Sequence, residues 1–169
     1  MIFDVNNLLF YTGSSYAFTS GNFRSLVGTT ESGLASSTIS LGAAEDLGIG
    51  DGDAIPKVAL TIGTGVTTAN TTATITFQFQ GSTDSTNWTT YAQSAALTTA
   101  SLTAGSTPFM IDVPPVPTGV SLPSYYRVNI ALSNTGGTQT ISAGTIIGGL
   151  VIQRDNNNVG SYASNFTVV

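Results

Sequence analysis

The sequence predicts an all-β sandwich or barrel. Three observations carry this: short segments in which apolar and polar residues alternate, clusters of Gly, Pro, Asn and Ser between them, and no helical periodicity over a useful length. The alternation is clearest in ATITFQFQ, residues 73–80. There Ile75, Phe77 and Phe79 face one way, and Thr74, Thr76, Gln78 and Gln80 the other. β-Branched Thr and Val are abundant, as a pleated and half-buried surface favours.

Residues 1–35 read as an arm or lead-in with room for one or two short strands. Its apolar residues, from Phe3 through Phe10 and Tyr11 to Phe23, come in bursts broken by turn-forming Thr-Gly-Ser-Ser and Thr-Ser-Gly-Asn. Such an arm packs either on its own domain or on a neighbour. The sandwich domain is expected over residues 36–155, starting with a strand in SSTISL, 36–41. GAAEDLGIGDGD, 42–53, is too short for a stable helix. IPKVALTI, 55–62, is the next strand, and with 73–80 it is expected to form a hairpin across the Thr-rich loop 63–72.

GSTDSTN, 81–87, is a turn, and Trp88 to Tyr91 open a strand that extends towards Leu97. PFMIDV, 108–113, is another strand. The four prolines of PPVPTGVSLP, 114–123, forbid regular structure and make a stiff loop across one end. In YYRVNIAL, 125–132, Tyr126, Val128, Ile130 and Leu132 point inward, while Tyr125, Arg127 and Asn129 point outward. SNTGGTQ, 133–139, is expected to close a hairpin into the last strand, centred on Thr145–Gln153. Apolar residues on both faces of that strand predict a central position or an interface. Residues 156–169 are a tail. No repeat of solenoid or propeller length is present.

Composition narrows the chemistry. The chain has 169 residues, enough for one domain with a sizeable core. Cys is 0 and His is 0, which removes thiol nucleophiles, Cys- or His-ligated zinc and any Ser-His-Asp arrangement within one chain. Charged residues are 8% of the chain against about 25% in ordinary domains. The cations Arg24, Lys57, Arg127 and Arg154 are too scattered for a nucleic-acid stripe. The N-terminus lacks the pattern of a secretory signal, and no apolar run is long enough to span a membrane. No nucleic acid, membrane or cofactor is therefore expected as a partner. A surface of Thr, Ser, Asn and Gln costs less to desolvate than one of ammonium and carboxylate groups, which favours weakly charged protein interfaces.

Few residues invite a chemical role. Glu45, Asp46, Asp51 and Asp53 form an acidic cluster that could ligate calcium, but the spacing fails the EF-hand pattern; the competing reading is a Gly-rich connection. Asp84 and Asp112 are further carboxylates, and nothing pairs them for glycosidic acid–base work. Trp88, Tyr91, Tyr125 and Tyr126 could line a sugar groove, or equally be core residues or interface anchors. Tyr125 and Tyr126 face opposite ways, so the outward Tyr125 is the better contact candidate.

Two stretches carry a family resemblance: ISLGAAEDLGIGDG, Ile39–Gly52, leading into IPKVALTI, and PSYYRVNIALSNTGGTQTISAGTIIGGLVIQRD, Pro123–Asp155. Together they resemble the jelly-roll capsid cement (decoration) proteins of tailed bacteriophages, the type described for a Bordetella phage head. The matching positions are Leu41–Gly48, Tyr126–Leu132 and Ala143–Arg154. The lead-in from Tyr11 to Ser37 and the tail from Asn156 to Val169 are longer than the family pattern.

The resemblance implies a jelly-roll-like β-sandwich with extended N- and C-terminal arms. It implies a non-enzymatic protein, assembled in the host cytoplasm, on the outer surface of the virion's capsid. There it would bind and bridge the major capsid protein as a homodimer or homotrimer, gaining from multivalency and strand exchange. On this reading Phe3, Phe10, Tyr11, Tyr125 and Phe166 are the expected protein contacts, and the arm Ile2–Tyr11 and tail Phe166–Val169 become ordered only in the assembly. The alternative is a phage tail or receptor/carbohydrate-binding β-sandwich module with Trp88 or Tyr91 on the floor of an exposed cleft. A glycosidase on the same scaffold would require two close carboxylates.

Overall fold

The alternating segments form strands that divide between two antiparallel sheets. The computed structural model describes residues 8–11, 23–48, 56–69, 72–133 and 139–151. In chain order the strands are β1 (Leu8–Phe10), β2 (Arg24–Ser25), β3 (Leu34–Ala35), β4 (Ile39–Ser40), β5 (Lys57–Thr68), β6 (Thr74–Ser82), β7 (Thr89–Gln93), β8 (Leu97–Thr98), β9 (Phe109–Asp112), β10 (Tyr125–Ser133) and β11 (Ile141–Val151). The first sheet runs β1-β11-β5-β9, with β2 also on β11. The second runs β3-β10-β6-β7, with β4 also on β10 and β8 also on β6.

The order follows a simple rule. β1 and β2 share one edge of β11, β3 and β4 share one edge of β10, and β7 and β8 share one edge of β6. Counting each such couple as one broken strand leaves eight positions among the described residues. The first pairs with the eighth, the second with the seventh, the third with the sixth and the fourth with the fifth. This is one long antiparallel ribbon rolled over into two sheets, the jelly-roll arrangement.

That rolling corrects two sequence-based expectations. β5 and β6 do not form a hairpin: β5 lies in the first sheet and β6 in the second, and the connection passes between sheets. The same holds for β10 and β11. Each strand instead finds a distant partner. β6 pairs with β10 from Thr74 opposite Ser133 to Ser82 opposite Tyr125, and β11 pairs with β5. Turn residues between two strands are compatible with either outcome; what decides is which apolar faces meet.

The core lies between the inner faces. β6 supplies Ile75, Phe77 and Phe79, β10 supplies Tyr126, Val128, Ile130 and Leu132, and the facing sheet supplies Val58, Leu60, Ile62, Ile146 and Leu150. The inward residues expected in β6 and β10 are therefore the buried ones. Phe77 stacks on Phe109 of the opposite sheet, ring centroids 6.2 Å apart, and so ties the two layers together. β11 is central, as its two apolar faces predicted: it has β1 and β2 on one side and β5 on the other.

Residues 8–10 and 24–35 of the lead-in are built into these sheets. β1 pairs with Gly148 and Gly149, and Leu9 and Phe10 are fully buried in the core. This part of the arm is thus ordered within the single chain, because two apolar side chains and a row of β11 backbone groups are satisfied there. Residues 1–7 and 152–169, with Phe3 and Phe166, lie outside the described residues.

Candidate interaction surface

Three loops meet at one end of the second sheet, and Asp46 links two of them. The loop 41–48 follows β4. The proline loop precedes β10, and residues 83–88 connect β6 to β7. The Asp46 carboxylate accepts from the backbone N–H of Gly48 at 2.9 Å and, across the end of the sandwich, from that of Val116 at 2.8 Å. Gly48 has no room for a side chain, since a Cβ there would overlap Pro114 and Pro115. The backbone of Leu41 donates to Ser124 and that of Glu45 to Pro123, at 3.0 and 3.1 Å. The acidic Gly-rich run is therefore a brace in its described part. Among the described residues no group of three metal-ligating side chains occurs; Asp51 and Asp53 lie outside them.

Tyr126 anchors the same brace from inside. It is 1% exposed, stacks on Phe79 at 5.4 Å, and its hydroxyl donates to the Glu45 carbonyl at 2.9 Å. Burial pushes the phenol up to about 12, against a Leu47 backbone hydrogen bond that lowers it, with the negative charges of Asp46, Tyr91 and Glu45 adding to the rise. The neutral phenol is the form the fold holds. Its contribution is fully present below the unfolded value of 10.0 and is lost as pH rises through about 12. Tyr126→Phe is expected to lose about 1 kcal/mol at neutral pH. It should also show a shallower fall in stability above pH 10, measured by urea unfolding across the alkaline range.

The outer face of the second sheet carries a polar network with an aromatic rim. The Arg127 guanidinium sits 4.0 Å over the Trp88 ring. Its Nε donates to Gln80 Oε1 at 2.9 Å, and Gln80 Nε2 donates to Thr90 Oγ1 at 3.1 Å. Asn129 Nδ2 donates to Gln78 Oε1 at 3.0 Å. β6, β7 and β10 position these groups: alternation sends Gln78, Gln80, Arg127 and Asn129 outward, and antiparallel register sets Arg127 opposite Gln80 and Asn129 opposite Gln78. Desolvation lowers the Arg127 guanidinium from its ordinary value, and it stays charged at any ordinary pH.

Trp88 is presented by a tightly tied loop. Asp84 accepts from the backbone N–H groups of Asn87 at 2.7 Å and Thr86 at 2.9 Å, and from the Ser82 hydroxyl and the Asn87 amide. These bonds, the Asn87 backbone first and the Thr86 backbone next, hold its carboxyl well below the usual range. Tyr125 shares the outer face two residues before Arg127, about 7 Å along the strand. Val120 and Leu122 stand exposed on the neighbouring proline loop. Half-buried Trp and Tyr beside a stacked Arg are the residue types that carry most binding energy in protein interfaces.

The family model for Bbp16, a Bordetella phage protein family, matches residues 13–149. The chain belongs to the Bbp16 family. No curated protein matches it. The Bbp16 match takes in the Asp46 brace, the Trp88 loop and all of β10, and leaves out β1. It agrees with the resemblance carried by Leu41–Gly48 and by the strands that follow Pro123.

Of the residues named from the sequence, Tyr125 lies half-buried on the outer face, next to the network. Phe10 is a core side chain of its own chain, and the adjoining Tyr11 is half-buried. Nothing brings Phe10 and Tyr125 together: they sit on different sheets. Arg127 and Gln80 were not singled out by sequence. The available signal was the outward position of Arg127 in β10, but its meeting with Trp88 depends on register.

Proposed function

We propose that this Bbp16-family chain is a capsid cement, or decoration, protein. It binds major capsid protein subunits on the outside of a phage head, bridges them and stabilises the shell. The observation that carries this reading is the match to a phage protein family across residues 13–149, which includes the first stretch that resembles cement proteins and the second as far as Gly149. The physical character of the chain supports it. A jelly roll leaves only short edges, and a weakly charged surface of hydroxyls and amides is cheap to desolvate over a large contact. As a homodimer or homotrimer it would touch several shell subunits at once, and each contact would raise the effective concentration for the next.

The geometry favours this over a sugar-binding tail module. One face of Trp88 is taken by Arg127, and Tyr91 lies against Gly81, where a Cβ would collide with its ring. A glycosidase would require two carboxylates facing one groove. Asp84 is held ionised by its own loop, and Asp112 is ion-paired with Lys57 at the far sheet.

The test is co-sedimentation of the purified chain with expanded capsids that lack it. Saturable binding at a fixed ratio to the major capsid protein is expected, with a raised capsid melting temperature. Absence of saturable binding would sink the reading.

A further inference from the structure

We infer that Arg127 is the seat of a carboxylate from the capsid partner: an Asp or Glu side chain of the shell subunit docks on the outer face of the second sheet, flanked by Trp88 and Tyr125. This rests on the cement reading and names the contact within it.

The geometry points there because Arg127 is held ready and left incomplete. One face of the guanidinium lies on Trp88 at 4.0 Å, and its Nε is committed to Gln80 at 2.9 Å. Gln80 is itself fixed by Thr90 at 3.1 Å and is 8% exposed. The group is thus held in orientation, and among the described residues no carboxylate pairs with it. Among the described residues the one ion pair joins Lys57 to Asp112, in the other sheet. A planar fork whose orientation is already set loses little entropy on pairing, and it fits a carboxylate through two parallel hydrogen bonds. Trp88 and Tyr125 supply the surrounding surface that excludes water and strengthens the pair.

Three of the five described carboxylates are engaged elsewhere, which favours a different protein as donor. Asp46 is engaged by the backbone of Gly48 and Val116, Asp84 by its own loop, and Asp112 by Lys57. Those carboxylates are already satisfied and are poor donors to a second copy. The formal net charge is -5, so a negative partner is repelled at long range. A single fixed cation then sets register and specificity locally rather than steering the approach.

The experiment compares full-length wild type, Arg127→Gln, Arg127→Lys and Lys57→Gln in binding isotherms on expanded capsids, at about 50 and 300 mM salt, one Debye regime apart. Arg127→Gln should weaken binding at least about tenfold at low salt and flatten the salt dependence. Arg127→Lys, which keeps the charge but not the fork, should retain only part of the affinity. Lys57→Gln should bind as wild type does. Thermal melting establishes that each variant is folded; should Arg127→Gln not fold, Arg127→Lys decides. Wild-type affinity in the deciding Arg127 variant overturns this inference and leaves the cement reading standing. No binding by the wild type overturns both. Loss of self-association with unchanged capsid affinity assigns the seat to a second copy, and also overturns it.

Discussion

Phe77→Ala is expected to lower the free energy of unfolding by about 3–5 kcal/mol. Phe77 has 0% exposure, sits in the middle of β6, and stacks on Phe109 across the gap between sheets. Its pairing neighbour Ile130 and the flanking Ile75 and Phe79 are held by a continuous ladder to β10, so they cannot collapse into the space. The loss is therefore the transfer of the ring to water plus a cavity that stays open. Equilibrium unfolding in urea should show the midpoint falling with little change in slope. A value under about 1 kcal/mol would mean that the sheets close up around the gap, contrary to the rigid ladder described here.

Gly148→Ala is the second large effect, and its sign is opposite in origin: it adds volume. Gly148 lies at the centre of β11 between β1 and β5. A Cβ there would overlap the Ala59 carbonyl oxygen, stand 2.5 Å from Leu60 Cδ2 and 2.9 Å from Leu60 Cα. Leu60 Cδ2 can rotate away. The β5 backbone cannot, because its other edge is paired with β9 from Lys57 to Leu60. One methyl group must therefore push two strands apart, at a cost of about 3 kcal/mol, the upper range for overpacking. Thermal melting of the purified variant checks this. A melting temperature within about 2 °C of wild type would show that the β5–β11 spacing has slack.

These two sites differ in how visible they were. Phe77 announces itself, since Ile75, Phe77 and Phe79 alternate with Thr and Gln, and no neighbouring strand has to be known to call that face buried. Gly148 is silent in the sequence, where Ile-Gly-Gly-Leu is only an apolar run with a soft centre. Its meaning comes from β1 and β5 closing on it from both sides. The short strands β1 to β3 show the same limit, whereas β4 falls inside the strand expected over 36–41. With two or three residues each, β1 to β3 are too brief for any period to register.

The interaction surface was legible in halves. Tyr125 could be placed outward because Tyr126 points inward, and the structure keeps both statements. Trp88 was visible as an aromatic after a turn. That Arg127 lies over it depends on β10 and β7 flanking β6 in the right register, which no local signal contains. The acidic run offered a calcium loop and a structural connection; in the described residues Asp46 spends its oxygens on Gly48 and Val116.

By itself the sequence determined the strand class, the inward face of β6 and β10, the stiffness of the proline loop and the sparse charge. These are properties of single segments, set by side-chain period and backbone chemistry over fewer than about ten residues. Only the tertiary structure decided which strands are partners: β5 with β9 and β11 rather than β6, and β10 with β6 rather than β11. The physical reason is that strand hydrogen bonds are the same for any partner, so pairing is chosen by how apolar faces and glycine gaps fit across the sandwich. The jelly roll, the Gly148 crossing and the Arg127–Trp88 surface all follow from that choice.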